Sequence, residues 1–172
     1  MVGRLDPSTG DIKVKPTPTQ HAVPYGIIVT EDGVPFFCEF GTNRLASIDP
    51  QSMAIREYPL PEGARPRRLA LASDGTIYYS DYERGYLGHF DPKSQKQEEW
   101  PSPGGSGSEP YGITTTSNGM VWYSESGVNP NRWCASIRKP RPSPKPPFHQ
   151  AAAWCATWSR PRTENSISLA VE

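Results

Sequence analysis

The sequence predicts an all-β fold, namely a partial β-propeller of about three four-stranded antiparallel blades with an irregular C-terminal tail. One pattern of short apolar and aromatic runs recurs every 42 to 44 residues, and repeats of this length are typical of propeller blades. The 172 residues also include 20 prolines and 15 glycines, a composition that disfavours long helices. Tight-turn dipeptides separate the apolar runs, as hairpin-connected strands require.

Several landmarks keep the same period. A proline that opens each unit recurs after 42 and then 44 residues, and an acidic residue repeats the same two steps. An Asp-Pro pair recurs after 43 and then 42 residues. These landmarks are Pro24, Pro66 and Pro110; Glu39, Asp81 and Glu125; and the pairs that begin at Asp6, Asp49 and Asp91. A meandering β-sandwich is the alternative, but sandwich strands seldom keep so regular a spacing.

Each unit is predicted to contain four strands, A to D. In the first whole unit, strand A holds residues 27–30 and turns at Asp32-Gly33, a dipeptide that tolerates positive φ. Strand B is aromatic, and Phe36 and Phe37 should point to its opposite faces, because blades stack on both sides. Strand C ends at Asp49-Pro50, where proline stops strand pairing, and strand D follows in "IREYPLP". Later units repeat these features at Asp74-Gly75, Tyr78-Tyr79, Asn118-Gly119 and Trp122-Tyr123.

The period divides the chain into an incomplete propeller over residues 1–131 and a tail over residues 132–172. The tail has no Gly, Asp or Tyr, and it carries seven Lys or Arg against two acids. Such a basic, Pro-rich segment is predicted to be disordered. The units of the propeller are the end of a blade at 1–21, blades at 22–63 and 64–107, and a partial blade at 108–131.

An out-of-frame translation from near Asn131 would also explain the tail. With suitable third bases, the codons of residues 133–138 read Leu-Val-Arg-Phe-Asp-Pro in a shifted frame, which restores the end of a strand C. In the same frame residues 160–164 give Thr-Pro-Asp-Gly, a hairpin turn. Because Met1 also falls inside a strand C, we expect an internal piece of a longer propeller. Its exposed blade edges and faces should promote self-association.

Strand direction predicts which loops share a rim. The crossover into strand A and the loop after strand B open on one side, so Tyr25 with Glu39, Arg67 with Asp81, and Tyr111 with Glu125 should surround one mouth. The Asp-Gly and Asp-Pro turns belong to the opposite rim and should be architectural. Carboxylates and phenols at a mouth can hold Mg²⁺ through oxygen ligands, or bind a polar ligand against tyrosine faces. Alternatively, the acids only accept hydrogen bonds from the crossover backbone.

Charge and hydropathy exclude several partners. The net charge is zero and the pI is 6.8, which argues against nucleic acid and anionic membrane surfaces. No apolar run reaches about 18 residues, and no signal peptide is visible, so a cytoplasmic location is expected by default. The cysteines fit neither a disulfide framework nor a metal site, and the histidines, which ignore the period, are expected at the surface. These residues are Cys38, Cys134 and Cys155, and His21, His89 and His149.

From Met1 to about Asn131 the order of these motifs resembles the virginiamycin B lyase (streptogramin lyase) family. The shared elements are "PYGI" at 24 and 110, aromatic-aromatic-x-acid at 36–39, 78–81 and 122–125, and "EYPLP" from Glu57. The resemblance implies a closed propeller of about seven blades. It also implies Mg²⁺-dependent linearisation of a cyclic depsipeptide antibiotic by elimination at its ester bond. Such chemistry requires a base and a cation that polarises a carbonyl.

The resemblance transfers only part of that family's active mouth to this chain. Tyr25 or Tyr111 matches the tyrosine of "PYGI", and Glu109 in "EPYG" matches a glutamate before a Pro-His-Gly motif. The family's histidines have no counterpart, because Tyr25, Arg67 and Tyr111 stand at the three positions. No catalytic residue is therefore assigned. The substrate-binding candidates are Tyr25, Tyr111, Arg67 and Glu109, and the metal candidates are Glu39, Asp81 and Glu125.

Three functions stay open at this point. The first is a lyase-like protein of reduced or absent activity that acts on a cyclic peptide-like molecule with Mg²⁺. The second is a non-catalytic propeller that binds a ligand or protein on its tyrosine and acid rim. The third is a lactonase-like hydrolase, which would need a set of metal-ligating Glu, Asn and Asp residues that the sequence does not show.

Sequencing the coding DNA tests the frameshift hypothesis. We expect the codons of residues 133–138 and 160–164 to encode the two propeller landmarks in the shifted frame. Codons that encode neither landmark in that frame would refute the hypothesis.

Overall fold

Each repeat folds as an antiparallel sheet in a computed structural model that describes residues 1–137 and 153–157. Consecutive strands pair in chain order within each sheet, as the strands of propeller blades do. The predicted all-β class and the four-stranded units are confirmed. The first sheet has β1 (Val2–Leu5) and β2 (Ile12–Lys15). The second has β3 (Pro24–Val29), β4 (Pro35–Glu39), β5 (Arg44–Ile48) and β6 (Ile55–Pro59). The third has β7 (Pro66–Leu71), β8 (Ile77–Asp81), β9 (Tyr86–Phe90) and β10 (Gln97–Pro101).

The last sheet extends into the segment predicted to be disordered. Its strands are β11 (Pro110–Thr115), β12 (Met120–Glu125), β13 (Arg132–Ile137) and β14 (Ala153–Thr157). The structure therefore differs from the prediction at β13 and β14, because the free edge of β12 takes up β13 as its hydrogen-bonding partner. The remaining tail positions, including His149, lie outside the described residues.

The cysteines also differ in part from the expectation. Cys134 in β13 is disulfide-bonded, and Cys155 lies directly opposite it in the β13–β14 ladder. This pairing of positions follows from the strand register, which cysteine spacing along the sequence does not reveal. Cys38 is a buried free thiol, as expected.

The turns follow the predicted chemistry. Gly33, Gly75 and Gly119 close the hairpins between strands A and B with φ of 82°, 80° and 79°. In the Asp-Pro turns, the aspartate side chain accepts hydrogen bonds from residues two or three positions ahead. Asp49, for example, accepts from the backbone N–H groups of Gln51 and Ser52 at 3.0 and 2.7 Å. These turns are architectural.

The core consists of three apolar layers between successive sheets. The adjacent aromatic residues of each strand B separate as predicted. Phe37 packs toward β1–β2, where Val2 contacts its cluster, and Phe36 packs toward the following sheet with Phe90. Tyr79 joins the layer of Phe36, whereas Tyr78 packs against β12. The second and third sheets therefore bury both faces of their strand B, and their stability depends on their neighbours.

The strands that open the three complete sheets lie side by side. Strand β7 contacts both β3 and β11, so all three line the inner side of the assembly. The approach is tight at Gly26, where an added Cβ would lie 2.7 Å from the carbonyl oxygen of Arg67 and 3.0 Å from the Cα of Arg68. The glycine of the Pro-Tyr-Gly motif thus permits contact between the backbones of neighbouring blades.

Apolar side chains remain exposed on the first hairpin and on β3. The hairpin exposes Leu5, Ile12 and Val14, and β3 exposes Ile27 and Val29. Self-association through these surfaces stays a prediction. The described residues include no helix long and apolar enough to cross a membrane.

Replacement of Gly26 by Ala should destabilise the fold by about 1–3 kcal/mol, because the new methyl group meets backbone atoms that cannot rotate away. Gly112 occupies the same motif position in the last sheet, where an added Cβ meets only the Ser124 hydroxyl at 3.3 Å. Gly112→Ala should therefore cost much less. Urea denaturation of both variants measures the difference, and equal costs would contradict the close packing of β3 against β7.

Candidate functional site

The backbone register places each opening proline opposite the acid of the same unit, as the predicted rim requires. Pro24 lies opposite Glu39, Pro66 opposite Asp81, and Pro110 opposite Glu125. The side chains separate, however. The tyrosines and arginines after each proline face an open mouth, whereas the three acids are fully buried. Of the two alternatives that the sequence left open for the acids, burial beneath the rim favours the one in which they accept hydrogen bonds from the crossover backbone.

A β-bulge explains why the mouth receives adjacent side chains. The register shifts between Pro66 and Arg68, and equivalent shifts follow Pro24 and Pro110. A bulge breaks the alternation of a strand and redirects side chains. Neighbours such as Arg67 and Arg68 can therefore both reach the aromatic rings of the mouth.

Asp81 and Glu125 stabilise the crossovers between blades. Asp81 accepts hydrogen bonds from the backbone N–H of Arg65 at 2.9 Å and from Nε of Arg84 at 2.6 Å. Glu125 accepts from the backbone N–H of Gly104 at 2.7 Å and from the Ser102 hydroxyl. This is the architectural alternative for the acids, because their oxygens satisfy the N–H groups of the chain entering strand A.

Glu39 is buried with fewer partners. Its Oε2 accepts a hydrogen bond from the Thr42 hydroxyl at 2.9 Å, and its Oε1 is buried without a partner. Burial raises the pKa of Glu39 to about 7, and the nearby Glu57 carboxylate raises it further against the opposing Thr42 hydrogen bond. Glu39 therefore changes its protonation state near neutral pH.

These carboxylates do not fit a magnesium site in the described part of the chain. Each belongs to a different sheet, and all are fully buried. No group of three or more His, Cys, Asp or Glu side chains among the described residues could hold a metal. Magnesium is bound through oxygen ligands and retains several waters, whereas Asp81 and Glu125 each accept a hydrogen bond from a crossover N–H group inside the core.

Arg67 lies at the centre of the mouth within four aromatic rings. Its guanidinium carbon is 4.2 Å from the ring centroid of Tyr82 and 4.6 Å from that of Tyr111. The rings of Tyr25 and Phe40 are each 5.2 Å away. We call these five residues the Arg67 cage. Burial opposes the charge, but the hydroxyls of Tyr25 and Tyr82 outweigh it and raise the pKa of Arg67, so the cage holds a permanent cation.

Arg68 lies beside the cage and organises two tyrosines. Its Nη2 donates a hydrogen bond to the Tyr111 hydroxyl at 3.1 Å, and the Tyr25 and Tyr111 hydroxyls are 3.1 Å apart. The hydrogen bonds from Tyr25 and Arg68 lower the pKa of Tyr111 from the usual tyrosine value. Residues from β3, β7 and β11 are thus joined at a single point.

Glu109 is the mouth carboxylate. Its Oε2 accepts a hydrogen bond from the Tyr82 hydroxyl at 2.6 Å. The four substrate-binding candidates, Tyr25, Arg67, Tyr111 and Glu109, are therefore brought together, with Tyr82 joining Glu109 to the cage. A cavity of about 240 Å³ lies apart from this cage, lined by residues 41–44 and 63–65.

Three mouth residues were missed by sequence reasoning. Phe40 and Tyr82 directly follow the acids Glu39 and Asp81, and they are 42 residues apart. That period could have identified them. Arg68 has no such signal, because its position depends on the bulge.

The histidines are separate from the mouth where they are described. His21 is exposed in the crossover to β3. His89 is buried, contrary to the surface expectation, because β9 lies inside a blade and its ring packs 4.8 Å from Tyr78 and 6.4 Å from Trp100. Among the described residues, the mouth is built from tyrosine, phenylalanine, arginine and glutamate.

Comparison with known proteins agrees with this architecture. The sequence model of the virginiamycin B lyase family matches residues 1–129, and the chain belongs to that family. Virginiamycin B lyase from Staphylococcus aureus superposes with a TM-score of 0.71 at 26% identity, covering 89% of this chain and 55% of that one. No curated protein matches.

Two further lyase structures are similar. A catalytically inactive S. aureus virginiamycin B lyase with quinupristin gives a TM-score of 0.71 at 26% identity, covering 91% of this chain and 56% of that one. A streptogramin B lyase gives 0.69 at 26% identity, covering 78% and 43%. The chain therefore spans about half the length of these solved relatives.

Stability should depend on pH through Glu39. The pKa is raised in the folded state, so the stabilisation from protonated Glu39 is fully present below about pH 4.5 and is lost as pH rises through 7. Glu39→Gln should therefore raise stability at pH 8 by up to about 3 kcal/mol, since one pH unit corresponds to about 1.4 kcal/mol. Denaturation between pH 5 and pH 8 measures this effect.

Glu62→Gln is the matched control, because Glu62 is exposed. The Glu62→Gln variant should have the same stability as the unaltered chain at every pH. An unchanged pH dependence in Glu39→Gln would refute the assignment.

Proposed function

We propose that this chain is part of a streptogramin-lyase-type propeller that binds a cyclic depsipeptide at the Arg67 cage and linearises it by elimination at the ester bond. One observation carries the proposal. Tyr25, Arg67 and Tyr111, each from the opening strand of a different blade, converge through the cation–π contacts and the tyrosine hydroxyl pair. Family membership and the likeness to a lyase with quinupristin support this ligand class.

The described residues are suited to the binding part of the reaction. Tyrosine rings offer flat apolar faces with polar tips, a combination that suits a ring of amides and aromatic groups. Arg67 and Arg68 supply donors for carbonyl oxygens, and Glu109 supplies an acceptor for N–H groups. Loss of the ring would inactivate such an antibiotic and so give resistance.

Magnesium dependence belongs to the proposal only as an outcome to be measured. A bound cation would polarise the ester carbonyl in such an elimination. Since the described carboxylates do not form a site for it, no step is assigned to the metal.

A non-catalytic binding propeller is the second candidate. The residues at the three strand-opening positions favour it. Tyr25, Arg67 and Tyr111 occupy the position that histidine holds in the Pro-His-Gly motif of the resembled family. Without an imidazole base among the described mouth residues, binding without turnover is the corresponding result.

Chromatography and mass spectrometry after incubation with a streptogramin B antibiotic separate these functions. Elimination opens the ring without adding water, so the product should elute differently with an unchanged mass. A mass increased by one water would identify a lactonase-like hydrolase. Turnover that stops with a chelator supports Mg²⁺-dependent elimination, whereas binding without turnover supports the second candidate.

Tyr25→Ala should weaken binding of the antibiotic about tenfold, because one stacking face and one hydroxyl contact are lost. Trp133→Ala is the matched control, since Trp133 is 48% exposed and Tyr25 is 40% exposed. Titration calorimetry measures both. Equal losses in the two variants, or no binding by the unaltered chain, would contradict the proposed site.

A further inference from the structure

We propose that Arg67 and Arg68 form a carboxylate-binding site, and that its occupant is the carboxylate released when the depsipeptide ester is eliminated. The anion site rests on the geometry of the chain alone, whereas the identity of the occupant rests on the proposed function. The two parts can therefore fail separately.

The first observation is the absence of a protein counter-charge in the described residues. Neither Arg67 nor Arg68 has a described carboxylate oxygen within 4.0 Å of its guanidinium nitrogens. Other arginines of this chain are neutralised in that way. Arg84 pairs with Asp81 at 2.6 Å and also with Glu99, and Arg44 lies 3.5 Å from Glu57. Two adjacent unpaired cations at one mouth form a positive centre that attracts an anion.

The second observation concerns which surfaces of Arg67 are used. The aromatic rings interact with its guanidinium group through cation–π contacts, which do not use its N–H groups as conventional donors. Its Nε is buried without an acceptor. A buried donor without an acceptor is unfavourable. The hydroxyls of Tyr25 and Tyr82 interact with part of the guanidinium group. Because Nε is buried, a carboxylate would be bound by the Nη groups of Arg67 together with those of Arg68.

The third observation is that Arg68 is already oriented. Its Nη2 is fixed by the hydrogen bond to Tyr111, and its guanidinium carbon lies 5.1 Å from the ring of Tyr25 and 5.3 Å from that of Tyr111. The side chain is exposed, so its other N–H groups are accessible. Part of the entropic cost of ordering a long side chain on binding is thus already met.

The chemistry of the proposed reaction produces such an anion. A base removes the α-proton, the Cα–H electrons form the Cα=Cβ double bond, and the Cβ–O bond breaks. The electron pair of that bond stays on the ester oxygen, so the leaving group is a carboxylate. Guanidinium groups that meet the charge as it develops stabilise the transition state more than the neutral ester.

The charges of the mouth favour an anion over a metal ion. Arg67 and Arg68 stand against Glu109, whose Oε2 is already hydrogen-bonded to Tyr82. A divalent cation near this cage would meet net repulsion, whereas a carboxylate would meet attraction. This electrostatic balance agrees with the poor fit of the buried acids to magnesium.

Competition between an acid and its ester tests the site. The probes are the linearised streptogramin B carboxylate and its methyl ester, together with N-acetyl-phenylalanine and its methyl ester. Calorimetry at low salt should show each acid binding at least tenfold more tightly than its ester. Arg68→Ala and Arg67→Ala should remove that preference, and Arg67→Lys should retain only part of it because lysine lacks the planar fork.

Arg56→Ala is the matched control, because Arg56 also stacks on a tyrosine, Tyr58, at 5.2 Å. It should retain the full preference. Arg68→Ala guards against misfolding, since Arg68 is exposed and its loss should leave the thermal transition unchanged. Equal binding of acid and ester by the unaltered chain would overturn the anion site, even if turnover is observed. A preference confined to N-acetyl-phenylalanine would support the anion site and overturn its proposed occupant.

Discussion

The close approach of the three strands that open the blades is the constraint on which the mouth depends. At Gly26 there is no room for a methyl group between β3 and β7. That contact places residues separated by 86 positions, Tyr25 and Tyr111, within hydrogen-bonding distance. The Arg67 cage is consequently a property of three blades together, and no single blade contains it.

The fold could be predicted from the sequence because its strongest signals are local. Three kinds of landmark recur with the period. They are a hairpin glycine, an aromatic pair whose rings point to opposite faces of the strand, and an Asp-Pro turn. Each has one physical explanation. Phe36 and Phe37 show this clearly, since each belongs to a different core layer. The extension of the last sheet into β13 and β14 had no periodic signal, because those residues lack the usual landmarks.

The site was less predictable than the fold, because it depends on the direction of single side chains. Assigning a residue to a rim requires only strand direction, but assigning its side chain to the mouth or the core depends on a shift of one residue. The bulge after each opening proline breaks the alternation of side chains between the two faces of the strand. The substrate-binding candidates Tyr25, Arg67, Tyr111 and Glu109 lie together at the mouth. The metal candidates Glu39, Asp81 and Glu125 are buried, and Arg68 was missed.

The resulting mouth is aromatic and cationic, and this character links the family assignment to the proposed chemistry. This character depends on the position of Arg67 among rings contributed by different blades. Nuclear Overhauser effects between the Arg67 side chain and the rings of Tyr25 and Tyr111 measure this arrangement most directly. We expect strong cross-peaks and ring-current shifts of the Arg67 methylene protons. A folded sample without these cross-peaks would contradict it.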